Sequence, residues 1–124
     1  MIIGNPVYVS GTLEMELDLL WTNASPTASF TAKTVSVDLS GYQLALIVFA
    51  PFIADNRYGM ATLLCPVDGD KYSMTFTAYT SNRNGKRDAT VATSGVTFSA
   101  CTYNDATNNA YGIPQYIYGI KGAD

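Results

Sequence analysis

The sequence predicts an all-β fold, an antiparallel β-sandwich of jelly-roll type with about eight strands. Three observations point there. Apolar and polar residues alternate with period two along several segments. Those segments are bounded at short spacing by Gly, Asn, Asp, Ser and Pro. Nowhere does an apolar pattern at helical spacing persist for three turns. The whole chain, residues 1–124, reads as one domain large enough for a real core, with residues 1–12 as a candidate extended N-terminal arm.

The elements follow in order. Leu13, Met15, Leu17, Leu19 and Trp21 alternate with Glu14, Glu16, Asp18 and Leu20, which predicts a strand with the leucines and Trp21 inward and a wet acidic face outward. Asn23-Ala24-Ser25-Pro26-Thr27 is turn chemistry. Val35, Val37 and Leu39 alternate with Ser36 and Asp38 as a second strand, broken by Ser40-Gly41. Gln43 to Phe49 is nearly all apolar and is expected to be covered on both faces. Asp55 to Gly59 is a loop. Met60 to Val67 predicts the next strand, and Asp68-Gly69-Asp70 turns into Lys71 to Thr80, where Tyr72, Met74, Phe76 and Ala78 share a face. Asn84-Gly85 is a strong hairpin signal. Lys86 to Thr93 is its return strand, and Val96 to Tyr103 follows Ser94-Gly95. Asn104 to Asn109 is a polar loop before the last strand, Tyr116 to Ile120.

Composition narrows the function classes. Hydrophobic residues make up 48% and charged residues 14%, so the chain is not of the disordered class, and its surface must be rich in Ser, Thr, Asn and Tyr or hidden in an oligomer. A formal charge of −3 gives no broad attraction to nucleic acid or anionic membrane. Met1 to Pro6 has no basic and then long apolar stretch, so it does not read as a secretory signal. The longest apolar run, Ala45 to Ala54, contains Pro51 and falls well short of the roughly 20 residues a bilayer span takes, so no membrane insertion is expected. Cys65 and Cys101 are too few for a disulfide framework; buried free thiols are the favoured reading, a single bridge the alternative.

The absence of histidine excludes the usual triads and His-ligated metal sites. Glu14 and Glu16 are neighbours on one strand, whereas a glycosidase needs two carboxylates facing each other across a cleft. Asp68-Gly69-Asp70 lacks the spacing and terminal Glu of a calcium loop and reads as a turn. Arg83, Lys86 and Arg87 cluster at the predicted hairpin tip, where they would solubilise it or meet phosphates or an acidic glycan. Asn23-Ala24-Ser25 fits a glycosylation sequon without a secretion signal to support it. The expectation is therefore a protein that is not an enzyme, with no catalytic residue, cofactor or metal. The nine tyrosines are the most suggestive feature. Rings with a polar tip stack on sugar faces and are enriched at interfaces. Tyr58, Tyr103 and Tyr111 lie in or beside polar loops, and with Asn56 and Asp105 they form the candidate ligand-binding set, since loops on a rigid sheet carry recognition.

Both ends of the chain carry a further signal. Leu20-Trp21-Thr22-Asn23-x-Ser25-Pro26-Thr27-x-x-Phe30, then Thr34 to Ser40 and Tyr42, together with Ile113-Pro114-x-x-Ile117-Tyr118-Gly119-Ile120-Lys121, resembles a segment of tail-associated proteins of phages and prophages of Gram-positive gut bacteria, where it often ends a longer tail-fibre or baseplate polypeptide. The resemblance runs from Leu13 to Lys121, close at the ends and only in style from Ala50 to Asn109. It brings no catalytic motif. It implies a β-sandwich at the tip or periphery of a virion tail, commonly a homotrimer, which contacts other tail proteins and recognises a host surface glycan or protein without covalent chemistry. A purely structural cap or assembly module without host ligand is the alternative. The sequence departs from that pattern in starting at its own Met1 with no fibre shaft before it, so the shaft is expected on another chain or the module as excised or free-standing.

Overall fold

The structure, a computed structural model, describes residues 15–78 and 83–122. The candidate arm, Leu13 and Glu14 lie outside the described residues, as does the end of the strand expected to reach Thr80. Ten strands follow in chain order: β1 (Met15–Thr22), β2 (Lys33–Ser36), β3 (Leu44–Ala50), β4 (Ala61–Pro66), β5 (Lys71–Thr77), β6 (Asn84–Ala92), β7 (Gly95–Phe98), β8 (Thr102–Tyr103), β9 (Ala106–Thr107) and β10 (Ile113–Gly122). A 3₁₀ turn, Ile53–Asp55, follows β3. The predicted strand from Val96 to Tyr103 is thus split into β7 and β8, and the Asn104 to Asn109 loop holds the small β9 ribbon.

All pairings are antiparallel, in two sheets. One has the order β1-β10-β3-β4; the other runs β2-β7-β6-β8-β9, with β5 along the remaining edge of β6. The sheets pack face to face as a β-sandwich. Inward residues follow the period-two rule: Ala45, Ile47, Phe49 and Ile117 from the first sheet meet Ala89, Val91, Val96 and Phe98 from the second, all 0–1% exposed. Phe98 sits edge-on to both Phe30 (5.4 Å) and Phe49 (6.1 Å), the geometry that ring quadrupoles favour.

Both terminal signatures act in this frame. β1 pairs with β10, so the two segments lie side by side. Just past β1, buried Asn23 donates its side-chain amide to the Pro114 carbonyl (2.7 Å) and accepts the Ser25 N–H (2.8 Å). Buried Gln115 donates in return to the Pro26 carbonyl (2.8 Å). The Asn-x-Ser triplet is therefore a turn that staples two distant segments, and its amide is turned inward rather than toward a glycan.

Four expectations are corrected. First, Leu17 and Leu19 point outward and are 56% and 53% exposed. The register moves from Leu19↔Tyr118 to Trp21↔Ile117, two residues on β1 against one on β10. This bulge turns Trp21 toward the core, edge-on to Phe30, and leaves the leucines on the opposite face. The inward position is held by Asp18, which accepts the Tyr42 hydroxyl (2.6 Å) while the Tyr42 ring closes over Gly119, where a Cβ would come within 2.6 Å of it. Second, β3 is fully covered on one face only: Ala45, Ile47 and Phe49 are buried, but Leu44, Leu46 and Val48 are only partly buried. Third, Asn84 and Gly85 are in the ladder, opposite Thr77 and Phe76. β5 ends at Thr77 and β6 begins at Asn84 instead, with the Ala78 N–H bonded to the Arg83 carbonyl (2.9 Å). Gly85 is required because the Phe76 ring lies across it, 2.0 Å from where a Cβ would be. Fourth, Arg87 is no solubilising tip; it is fully buried.

Candidate functional site

The two loops that carry the candidate residues meet at one end of the sandwich. After β3, Phe52 enters the 3₁₀ turn, which closes on Asn56 at φ 57°. Asn104 (φ 54°) and Asp105 (φ 63°) make the tight β8–β9 turn, also in the left-handed region. Asn and Asp tolerate that conformation better than other side chains. The Tyr111 hydroxyl donates to Asp55 (2.9 Å) and ties the second loop to the first. Behind this bond the rings pack continuously: Tyr103 stacks on Tyr111 at 4.1 Å and on Phe76 at 6.0 Å, and Phe52 is edge-on to Phe76 (5.3 Å), Tyr103 (6.5 Å) and Tyr111 (6.3 Å).

The five candidate residues therefore divide. Tyr103 is buried and Tyr111 half-buried, both engaged with other rings. Burial, then the Asp55 hydrogen bond, pushes the Tyr111 phenol above its ordinary value. These two brace the loops. Tyr58 (64% exposed), Asn56 and Asp105 face solvent. Asp105 borders a cleft of about 420 Å³ whose polar groups are Thr75, Thr77, Asn84, Lys86 and Thr102. A more apolar cleft of about 340 Å³ lies between Pro51, Phe52, Arg57 and Met60, close in sequence to Tyr58. The hydroxyls, amide, carboxylate and ammonium of the first cleft can hydrogen-bond a polyol, and the apolar side chains of the second can pack on an apolar ligand face. Among the described residues, no group of three His, Cys, Asp or Glu is placed to hold a metal ion.

Arg87 underlies this end. β7 and β8 share one edge of β6 and are interrupted between Phe98 and Thr102, which leaves carbonyls without ladder partners. The Arg87 guanidinium donates into this gap at the Ser99 carbonyl (2.8 Å) and also to the Gly112 (2.7 Å) and Tyr111 (3.1 Å) carbonyls of the segment before β10. It also lies 5.3 Å from the Phe30 ring centroid. Burial lowers its pKa, and no carboxylate is needed because three carbonyl dipoles solvate the charge. Nothing in the sequence but its place on an alternating strand, in phase with Ala89 and Val91, marked it as inward. The two thiols, Cys65 and Cys101, are free and buried; burial pushes Cys65 up to about 11 and raises Cys101.

The chain matches no protein-family model, no curated protein and no solved structure.

A second surface was not foreseen from the sequence. The outer face of the β1-β10-β3-β4 sheet carries three cross-strand rows: Leu17–Ile120–Leu44–Pro66, Leu19–Tyr118–Leu46–Leu64, and Tyr116–Val48–Thr62. Leu17, Leu19 and Leu64 are more than half exposed, and none of the side chains in these rows is charged.

Proposed function

We propose that this chain is a non-catalytic module of a phage tail, a subunit of a homo-oligomer expected to be a trimer, which recognises a bacterial surface glycan or protein through its loop end. The virion location and the contacts with other tail proteins rest on the resemblance at the two chain ends. The observation that carries the recognition role is the convergence of the two loops on one aromatic brace, with Tyr58, Asn56 and Asp105 left in solvent beside the clefts. Such a site works by preorganisation: loops already held by Tyr111 and Asp55 lose little conformational freedom when a ligand docks.

Binding of the wild-type protein to a glycan array and to host cells, compared with a Tyr58→Ala, Asp105→Asn variant, tests this. Both substitutions are at exposed positions, so the variant keeps the fold. The expected result is binding by wild type and at least a tenfold loss in the variant. Equal binding by both moves the site elsewhere. Absence of binding by wild type favours the second reading, a structural cap or assembly module, whose support is the uncharged outer face of the first sheet.

A further inference from the structure

We infer, on the premise of the loop-end recognition proposed above, that the ligand is a neutral sugar, one without carboxylate or phosphate, and that it seats in the cleft across β5, β6 and β8 that Asp105 borders.

The register of the sheet builds this cleft. Thr75, Lys86 and Thr102 stand opposite one another on three neighbouring strands and form one outward row. Thr77 and Asn84 form a second row two residues along. Phe76 and Gly85 lie between the rows and complete the lining of a space of about 420 Å³, a size at which small ligands bind. Neighbouring strands lie about 4.8 Å apart, and same-face residues roughly 6.6 Å apart along a strand. The polar groups therefore sit on a grid of the dimensions of a sugar ring with its hydroxyls.

Asp105 is held at one end of the cleft. The Asn104 N–H donates to the Asn84 carbonyl (2.9 Å), and the pairing of Tyr103 with Ala106 leaves only Asn104 and Asp105 in the turn. Both take left-handed φ values, so a tight two-residue turn presents the carboxylate before any ligand arrives.

The groups present select the ligand class. A threonine hydroxyl both donates and accepts, as a sugar hydroxyl does, and a carboxylate accepts from two adjacent hydroxyls at once. Thr77 donates to the Asn84 side-chain oxygen (3.1 Å), which turns the amide N–H groups away from Thr77. An acidic ligand has less to meet. Lys86, the cation among the lining residues, already lies 3.6 Å from Asp88. Arg87, one position on, is turned into the core onto three carbonyls. Arg83 precedes Asn84 in the chain but lies near the Tyr111 phenol and is not among the lining residues. A phosphate or uronate entering the cleft would face the Asp105 carboxylate and a lysine already paired. The second cleft, with Pro51, Phe52 and Met60 around Arg57, would strip water from sugar hydroxyls and replace few of those hydrogen bonds.

The test is binding to an array of neutral oligosaccharides printed beside their uronate- and phosphate-bearing counterparts, with host-cell binding measured in parallel. Thr75→Val/Thr102→Val keeps side-chain shape and removes two hydroxyls. Asp105→Asn removes the charge and keeps a residue that tolerates the left-handed turn. Met60→Ala in the second cleft is the control, and far-ultraviolet circular dichroism checks that each variant is folded. Wild type should bind neutral members at least about tenfold more tightly than acidic ones, the threonine variant and Asp105→Asn should each lose about tenfold, and Met60→Ala should bind as wild type does. Binding confined to acidic members, neutral binding that survives both cleft variants, or host-cell binding with no array member bound overturns the inference while recognition itself stands. Absence of binding to both array and cells overturns the recognition reading together with it.

Discussion

The two outer faces of the sandwich are built from strands of similar length and pairing, yet they differ in kind. The outer face of the β5-β6-β7 sheet is a ladder of small polar contacts: Ser73 donates to Asp88 (2.5 Å), Thr77 to Asn84 (3.1 Å), and Thr34 and Thr97 share a hydrogen bond (2.9 Å). Its charges are partly paired, with Lys86 3.6 Å from Asp88. Among the described residues, the outer face of the other sheet has no such contacts in its three rows, which hold leucines, isoleucine, valine and tyrosines with Thr62 and Pro66 at one edge. Cross-strand hydroxyl pairs suit a wetted sheet; apolar rows suit a covered one. The lesson is that alternation reports an amphipathic strand but not the direction of its wet side, which the rest of the sheet decides.

Substitutions on either side of each sheet can break or sharpen this contrast. The largest effect is expected inside, where Phe98→Ala removes the ring between Phe30 and Phe49 and should lower stability by about 3–5 kcal/mol in chemical denaturation. Trp21→Ala should cost less, about 2–3 kcal/mol, because the bulge leaves Trp21 half-buried at the rim of the core. A pair of neighbours on β3 separates the two faces directly. Ile47→Ala should cost about 2–4 kcal/mol and leave association unchanged, whereas Leu46→Ala should cost about 1 kcal/mol in the single chain and act mainly on oligomer dissociation. Thr75→Ala on the polar face should stay within about 0.5 kcal/mol of wild type on both readouts.

The smallest expected effect is electrostatic and lies at the β4–β5 turn. The Tyr72 hydroxyl donates to Asp68 (2.6 Å), and this bond, with lesser help from burial, pushes the Tyr72 phenol up to about 12 and holds the Asp68 carboxyl below its usual range. A raised phenol pKa means that its contribution is complete below the ordinary tyrosine value and is lost as pH rises through about 12. The lowered Asp68 pKa gives the opposite sign: its contribution is present above the ordinary aspartate range and is lost as pH falls through the folded value. Alkaline absorbance titration should show late-ionising phenols in wild type, and Asp68→Asn should move the Tyr72 share of that late phase down.

Much of the fold was legible because its signals are local. Period-two alternation located the main strands, and Asp68-Gly69-Asp70 marked a real turn. The corrected elements depended on partners far away in sequence. The bulge at Leu20 appears only in the register of β1 against β10. Asn84-Gly85 reads as a hairpin turn until the Phe76 ring is seen to need a bare backbone across from it. Arg87 reads as a surface cation until the interrupted β7–β8 edge presents the Ser99 carbonyl to it and the segment before β10 presents those of Tyr111 and Gly112. At the candidate site the loops and their polar residues were legible, but the division between packed and exposed tyrosines was not, because Tyr103 and Tyr111 differ from Tyr58 only in what packs against them.

The contrast between the faces is tested most directly by carbene footprinting of the wild-type protein over a dilution series, read at Leu17, Leu19 and Leu64 against Thr75 and Thr97. All but the threonines belong to the apolar face, where the leucines are more than half exposed on a single chain. If the proposed oligomer is held through this face, the leucines take up little label at high concentration and gain it on dilution, while the threonines stay labelled throughout. Leucines labelled heavily and equally at every concentration would contradict the reading of that face as an interface.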